Sequence, residues 1–391
     1  MKKIFLNFLM FAALLAPVVL ASCGDDGKGG TTPVEDNKLS GSIKDTRTLD
    51  ANVEYLLTGP LIVEEGGVLN IPAGTTIKAQ KGFSNYILVL QGGKINAKGT
   101  ATAPVKIIAD KDGVGNGYWG GLIINGRAPL TSPSEVGSTE INSAYVYGGT
   151  NAADNSGELS YLILGNTGAR SSADVEHNGL TLNGVGNGTK INDLYIYDGA
   201  DDGVEFFGGS VNVTNLLVVN PDDDMFDFTQ GYNGTLKNAY GIWAEGYSTG
   251  ESDPRGIEAD GNLDGNYSDH QKNPNQSNFR VENMTVDLRL AAVTFEAADK
   301  SKRMQDVIKI RRDAKATVVN ALVKGTGTVE DLVDLTDSKG AADAGTTISL
   351  TNSLVNAPQR QTNPVAAVGV TIGGSNTGCP TNIFAWTGYQ F

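Results

Sequence analysis

Three short stretches place acids where they could act together. "DDGVEFFGG" occupies 201–209, "DDMFDFTQG" 223–231 and "PRGIEADGN" 254–262, and each sets one acid between apolar neighbours: Glu205, Asp227 and Glu258. Asp201, Asp202, Asp222, Asp223 and Asp224 stand just before the first two of these acids, and Asp260 just after the third. So many hard oxygens suit Ca²⁺, which takes six to eight of them in adaptable geometry. Zinc is a poor fit, because the chain has only His177 and His270 and no paired cysteines. The candidate Ca²⁺ ligands are Glu205, Asp223, Asp224, Asp227, Glu258 and Asp260, and no other cofactor is indicated. Turn chemistry alone also favours Asp, whose side chain bonds the local backbone. That accounts for the aspartates in loops but not for acids set within apolar strands.

The elements that would position these acids follow from the spacing. Glu205 and Asp227 are 22 residues apart, Thr181 and Glu205 are 24 apart, and Glu258 and Lys309 are 51 apart, the last read as two repeats. Runs such as "TGPLIVEEGGVLNIPAGTTIKA" (58–79) and "ILVLQGGKINAKGTATAPVKIIA" (87–109) alternate short apolar strands with Gly, Asn and Pro turns. A repeat of twenty-odd residues, with three short strands and three bends, predicts a right-handed parallel β-helix, an all-β solenoid interrupted by polar loop insertions. Strand alternation then turns Val204, Phe206, Phe226, Phe228 and Ile257 into the core and Glu205, Asp227 and Glu258 outward, one per coil. Gly203 and Gly256 are expected to permit a sharp bend at the strand entrance. Asn183, Asn192 and Asn215 are expected in turns.

Coils stack about 4.8 Å apart, so the outward acids form a column of like charge in which each adjacent pair would cost roughly 3–4 kcal/mol at an effective dielectric near 20. Protonation, Arg255 or Lys309, solvent, or a bound cation must offset that repulsion.

Composition agrees with a strand-and-turn chain and excludes some partners. The 391 residues include 50 glycines and carry a net charge of −14, which suits turns rather than helices and speaks against nucleic acid, whose phosphates call for clustered Lys and Arg. No Walker-type or dinucleotide glycine motif is present. No serine or cysteine lies in a nucleophile motif with either histidine, and both histidines sit in polar stretches where exposure is expected. Trp119, Trp243 and Trp386 are expected in the core or a cap rather than as sugar platforms. Cys379 is expected to be buried, with no disulfide partner in the mature chain.

The first 22 residues form a signal peptide, with basic Lys2 and Lys3, an apolar run from Ile4 to Leu20, and "LASC" ending at Cys23. This ending resembles the lipobox of bacterial lipoproteins, which implies cleavage before Cys23 and acylation of its thiol. Residues 23–45 then read as a lipidated, disordered tether, and 46–391 as the β-helix domain. The acids directly after Cys23 resemble a surface-export signal of some Gram-negative bacteria. The implied location is the outer membrane, lipid-anchored and facing the cell exterior.

The run "VLNIPAGTTIKA … KINAKGTATAPVKIIA … YWGGLIING" and the later "DDGVEFFGG", "DDDMFDF", "RGIEAD" and "IKIRRD" resemble secreted and surface β-helix lipoproteins of the pectate-lyase-like superfamily, in a group without characterised chemistry. What the resemblance implies is a binding or structural role toward a glycan, peptide or outer-membrane partner, with contacts built on the polar insertions 131–158 and 246–279. The alternative it implies is a Ca²⁺-dependent polysaccharide lyase or glycoside hydrolase. Lyases of this fold pair Ca²⁺ with an Arg or Lys base, and Lys309, Arg311 and Arg312 in "VIKIRRD" are the candidates. The motifs that mark polygalacturonases are missing. The feature that discriminates is whether those basic residues share one groove with Glu205, Asp227 and Glu258.

Overall fold

In a computed structural model, which describes residues 37–132, 135–172, 175–263 and 274–391, the chain winds into one 24-stranded parallel sheet whose strands stack in three columns, beside a separate two-stranded sheet. The signal segment, Cys23, most of the tether and His270 lie outside the described residues. One compact unit spans Asn37–Phe391. Its first strand, Lys38–Ile43, pairs in parallel with Tyr55–Val63, so folded structure begins inside the stretch read as tether.

Each coil contributes three strand segments, although two of them often run on continuously through a bend. In Lys190–Tyr197 the segments before and after Asp193 pair with the corresponding parts of Asn212–Val219. Near the N-terminus the same two positions are separate strands, Lys94–Lys98 and Val105–Ala109, and both pair with Gly157–Gly165. The third position is filled in turn by Leu180–Asn183, Val204–Phe207, Phe226–Thr229, Arg255–Asp260, Arg303–Arg311 and Thr328–Asp334. All of these pairings are parallel, giving the right-handed parallel β-helix that the repeat predicts.

From Lys190–Tyr197 onward the bend within the long strands is made by Asp or Asn. Asp193, Asn215, Asn238, Asn283 and Asn320 have φ of 55°, 60°, 57°, 56° and 57°, the left-handed region that Asn and Asp tolerate best among residues with a side chain. Their side chains stack into a ladder. Asn215 donates to Asp193, Asn238 to Asn215, Asn283 to Asn238 and Asn320 to Asn283, each at 2.8 Å. Asn215 is therefore a corner residue within a strand. Asn183 is also in a strand, where its Nδ2 donates to Asn125 Oδ1 at 2.9 Å, and Asn192 lies in Lys190–Tyr197. These asparagines are expected in turns, but register places all three in strands, where the amides of Asn183 and Asn215 each bond a neighbour on the adjacent coil.

The inward side is as alternation predicts. Val204, Phe206, Phe226, Phe228 and Ile257 are all fully buried. Phe206 and Phe228 stack at 5.0 Å between ring centroids, and Phe228 and Phe279 at 4.2 Å. Trp119 and Trp243 are core residues, with Trp119 donating to Gly165 O. Gly203 and Gly256 serve a different purpose from the one expected. Neither adopts positive φ. A Cβ at Gly203 would meet Val218 Cγ1 at 2.5 Å, and one at Gly256 would meet Val307 O at 2.5 Å. Close packing, not a bend, requires glycine there.

The step from Glu258 to Lys309 is one coil rather than two, since the two residues are direct register partners. The strands Arg255–Asp260, Asn278–Leu288 and Arg303–Arg311 are separated by long connecting stretches, which add residues to that coil without advancing the register. At the far end the chain doubles back along the outside. Thr381–Thr387 packs Phe384 against Leu217, Tyr240 and Ile242, with Cys379 buried beside them as a free thiol. Trp386 meets Tyr161 edge-on, and Tyr389 meets Tyr195.

Candidate functional site

The third column of strands carries the acids. Thr181, Glu205, Asp227, Glu258, Lys309 and Asp334 are successive register partners, so Glu205, Asp227 and Glu258 do form a column, one per coil. The column is not on a freely solvated face. Glu205 and Asp227 are partly buried, and the Glu258 side chain is only 12% exposed. Three separate segments build walls around them.

One wall is the pair of turns entering the strands. Asp202 Oδ1 accepts from the backbone N–H of Asp224 at 2.9 Å, locking one coil's turn to the next. Asp222 is a loop anchor that accepts from Tyr247 OH at 3.1 Å and Gly250 N at 2.8 Å. Asp201, Asp202, Asp223 and Asp224 line the groove with Glu205 and Asp227. A second wall comes from the insertion 131–158, which folds into an antiparallel hairpin of Gly137–Thr139 and Asn142–Tyr147 with Glu140 at its tip. Tyr147 holds the hairpin base: its OH donates to Gln230 Oε1 at 2.7 Å, and its ring packs with Leu130 and Phe207. The third wall is Arg311 and Arg312, with Leu263 from the second insertion; Glu176, paired with Arg170 at 2.9 Å, also lines the groove. The groove has a volume of about 320 Å³ and is open to solvent.

The two ends of the groove differ in charge balance. Glu258 and Asp260 sit at the basic end. Arg255 and Arg311 both contact Glu258, and Asp260 accepts from Arg311 Nε at 2.7 Å and Arg312 Nη1 at 2.8 Å. At the other end Glu205, Asp201, Asp202, Asp223, Asp224 and Asp227 have little basic company. Arg255 approaches Asp224 at 3.9 Å, and Asn178 donates to Glu205 Oε2 at 2.6 Å. One oxygen each of Asp223, Asp224 and Asp227 is buried without any hydrogen-bond partner.

Titration reflects this crowding. Burial, with repulsion from neighbouring acids, holds Asp201, Asp202, Glu205 and Asp224 well above the usual carboxylate range. Burial pushes Asp223 and Asp227 up to about 7. Glu140 also rises to about 7, through burial and then the charge of Glu176. Repulsion from Glu140 and Asp227 adds to the rise at Glu205, and repulsion from Asp260 to that at Asp227. Unliganded, the cluster is stable near neutral pH only by keeping protons; a cation is the other way to satisfy it. Clusters of acidic oxygens here could hold a metal ion.

Of the basic residues singled out in the sequence, Arg311 and Arg312 do share the groove with Glu205, Asp227 and Glu258. Lys309 does not line it, being drawn to Asp334 Oδ2 at 2.5 Å. The sequence does not single out Glu140 or Glu176. They come from segments far along the chain, and the only signal for Glu140 was its place in a polar insertion. His177 corrects an expectation: it is 1% exposed, packed against Phe83 and Tyr86, and burial lowers it to about 4. Its polar sequence neighbours, Glu176 and Asn178, turn toward the groove and the acid column, while the ring points into the wall.

A family model described as a pectate-lyase like beta helix domain matches residues 41–387. Two solved structures are similar. One is the enzymatically active domain of tailspike protein 2 from bacteriophage CBA120, with 10% identity over 82% of this chain and 41% of that one, at a TM-score of 0.31. The other is the catalytic domain of a GH87 alpha-1,3-glucanase in complex with tetrasaccharides, with 12% identity over 81% of this chain and 64% of that one, at a TM-score of 0.32. The chain thus spans less than two thirds of the length of either. No curated protein matches it.

Proposed function

The chain belongs to the pectate-lyase-like β-helix family, and from that premise we propose that it is a lipid-anchored, outward-facing outer-membrane protein whose acidic groove holds Ca²⁺ and binds a glycan through it. One observation carries the reading: buried oxygens of Asp223, Asp224 and Asp227 converge on one groove with no hydrogen-bond partner. Unpaired carboxylate oxygens away from water are costly unless protonated or liganded. Ca²⁺ suits them better than Mg²⁺, because the ligands come from turns and strands of several coils in no fixed octahedron. With the ion bound, the groove could meet the hydroxyl and carboxylate oxygens of a sugar acid that it would otherwise repel. The hairpin tip at Glu140 and Leu263 of the second insertion supply the rim, which fits loops projecting a binding surface from a rigid scaffold. The lipobox-like "LASC" and the acids after Cys23 support the anchored, exposed location.

The test is calorimetric titration of the purified chain with Ca²⁺, then with uronic-acid and neutral oligosaccharides in Ca²⁺ and in chelator. The reading requires Ca²⁺ binding and glycan binding that chelator abolishes. Glycan binding indifferent to chelator, or no Ca²⁺ binding at all, overturns it.

A second reading, a Ca²⁺-dependent lyase or glycoside hydrolase, is favoured by Arg311 and Arg312 sharing the groove with Glu205 and Asp227. Both arginines are tied to Asp260 and Asp337, which suits charge compensation more than proton abstraction. Absorbance of unsaturated products, or release of reducing ends, from a panel of polysaccharides decides between binding and cleavage.

A further inference from the structure

We propose that the groove binds two divalent cations bridged by the carboxylate of Asp202; this rests on the cation reading above and specifies it. Oxygens of Asp201, Asp202 and Asp223 lie within 4.8 Å of one another, and so do oxygens of Asp202, Glu205 and Asp227. Around a single Ca²⁺, with bonds of 2.3–2.6 Å, ligand oxygens cannot be more than about 5 Å apart, so each trio has the spread of one coordination shell. Asp202 alone belongs to both. The other members are set apart by the fold, Asp201 and Asp223 in the turns and Glu205 and Asp227 in the strands that follow.

Asp202 is built for a bridging role. It is 7% exposed, and its Oδ1 is oriented by the N–H of Asp224 from the next coil. The independent sign of a ligand is Asp224 itself, which is 2% exposed, lines the groove, and has an Oδ1 with no hydrogen-bond partner. Asp223 adds a similarly unpartnered oxygen to the turn trio and Asp227 one to the strand trio. Charge supports the same count. Fully ionised, the six carboxylates of this end would keep four negative charges after one dication but two after a pair, with Arg255 lying 3.9 Å from Asp224.

Equilibrium dialysis of the full mature chain against radiolabelled Ca²⁺ tests this, with Asp223→Asn, Asp227→Asn and Asp202→Asn compared after circular dichroism confirms their folding. Two ions per wild-type chain, one in Asp223→Asn, one in Asp227→Asn and none held tightly in Asp202→Asn are expected. One ion per wild-type chain, lost in both Asp223→Asn and Asp227→Asn, would leave the cation reading standing and overturn the paired site. No ion in the wild type overturns both. Terbium luminescence on the wild type provides a readout that needs no variant: two distinct decay lifetimes are expected, and a single lifetime at saturation with one ion bound counts against the pair.

Discussion

Glu205 stands directly opposite Asp227 on the neighbouring coil, and oxygens of the two carboxyls lie within 4.8 Å of each other and of Asp202. Acids this close on adjacent coils can all be ionised only if something positive lies among them.

Ca²⁺ is therefore expected to raise the melting temperature of the wild type more than that of Asp227→Asn. Each ion at a hundred times its dissociation constant adds about 2.7 kcal/mol, so a variant that keeps one of two sites gains about half as much. In chelator at pH 8 the variant should be at least as stable as the wild type, because the middle charge of the column is gone. Scanning calorimetry of both proteins checks this, and equal Ca²⁺ shifts would contradict it.

In chelator, stability should fall as pH rises from about 4 to about 8. Asp223, Asp227 and Asp306 hold their protons to about 7 in the folded chain, chiefly through burial, whereas an unfolded Asp loses its proton near 3.9. Over that interval the native state binds more protons than the unfolded one, so the slope of stability against pH is negative. His177, lowered to about 4 by burial, works in the opposite direction between pH 4 and its unfolded value near 6.5, and is outnumbered. Melts at pH 5, 6, 7 and 8 in chelator measure the slope; stability that rises with pH would refute it.

Arg255→Met should destabilise the fold by about 3–5 kcal/mol, the usual cost of removing one partner of buried ion pairs. Arg255 is 5% exposed and reaches Asp253 at 2.7 Å, Asp306 at 3.3 Å and Glu258. Arg280→Met, at an exposed pair with Glu282, should cost under about 1 kcal/mol. Urea unfolding of the two variants gives the comparison.

Phe384→Ala should loosen the C-terminal return before it affects the solenoid. Phe384 is fully buried against a small cluster outside the main core, and such a truncation costs about 3–5 kcal/mol where the site cannot collapse. Limited proteolysis should then cut within 375–391 while leaving the coils intact. Protection equal to wild type would mean that the aromatic contacts of Trp386 and Tyr389 suffice alone.

Cys23→Ser should release the protein from membranes, and protease shaving of intact cells should cut between Gly24 and Ser40 in the wild type. Unchanged membrane fractionation, or cleavage only after lysis, would refute the anchor or the outward orientation respectively.

The coil period and the two-sided strands were legible because each coil repeats one pattern, so Val204, Phe226 and Ile257 stack inside and Glu205, Asp227 and Glu258 stack opposite them. Spacing failed between Glu258 and Lys309, since residues that loop out at a corner count toward length but not toward winding. It also hid Glu140 and Glu176, which arrive at the groove from other coils and share no period with the column. His177 was misjudged because its polar neighbours are polar for the groove, while its own ring fills the wall behind them. Even the glycines were recognised for the wrong reason: a small residue reads the same in sequence whether it permits a dihedral or clears a path for Val218.

The ladder from Asp193 to Asn320 has a direction. Asn215, Asn238 and Asn283 each give an N–H to the previous coil and offer a carbonyl to the next, while the carbonyl of Asn320 accepts from the backbone N–H groups of Thr377 and Gly378, so any interior rung can take the place of any other. A coil can be duplicated or lost between Asn215 and Asn320 with every corner still matched, which makes the solenoid extensible in whole units. Asp193, as an acceptor without an N–H in its side chain, closes one end of that series, and the C-terminal return bonded to Asn320 closes the other.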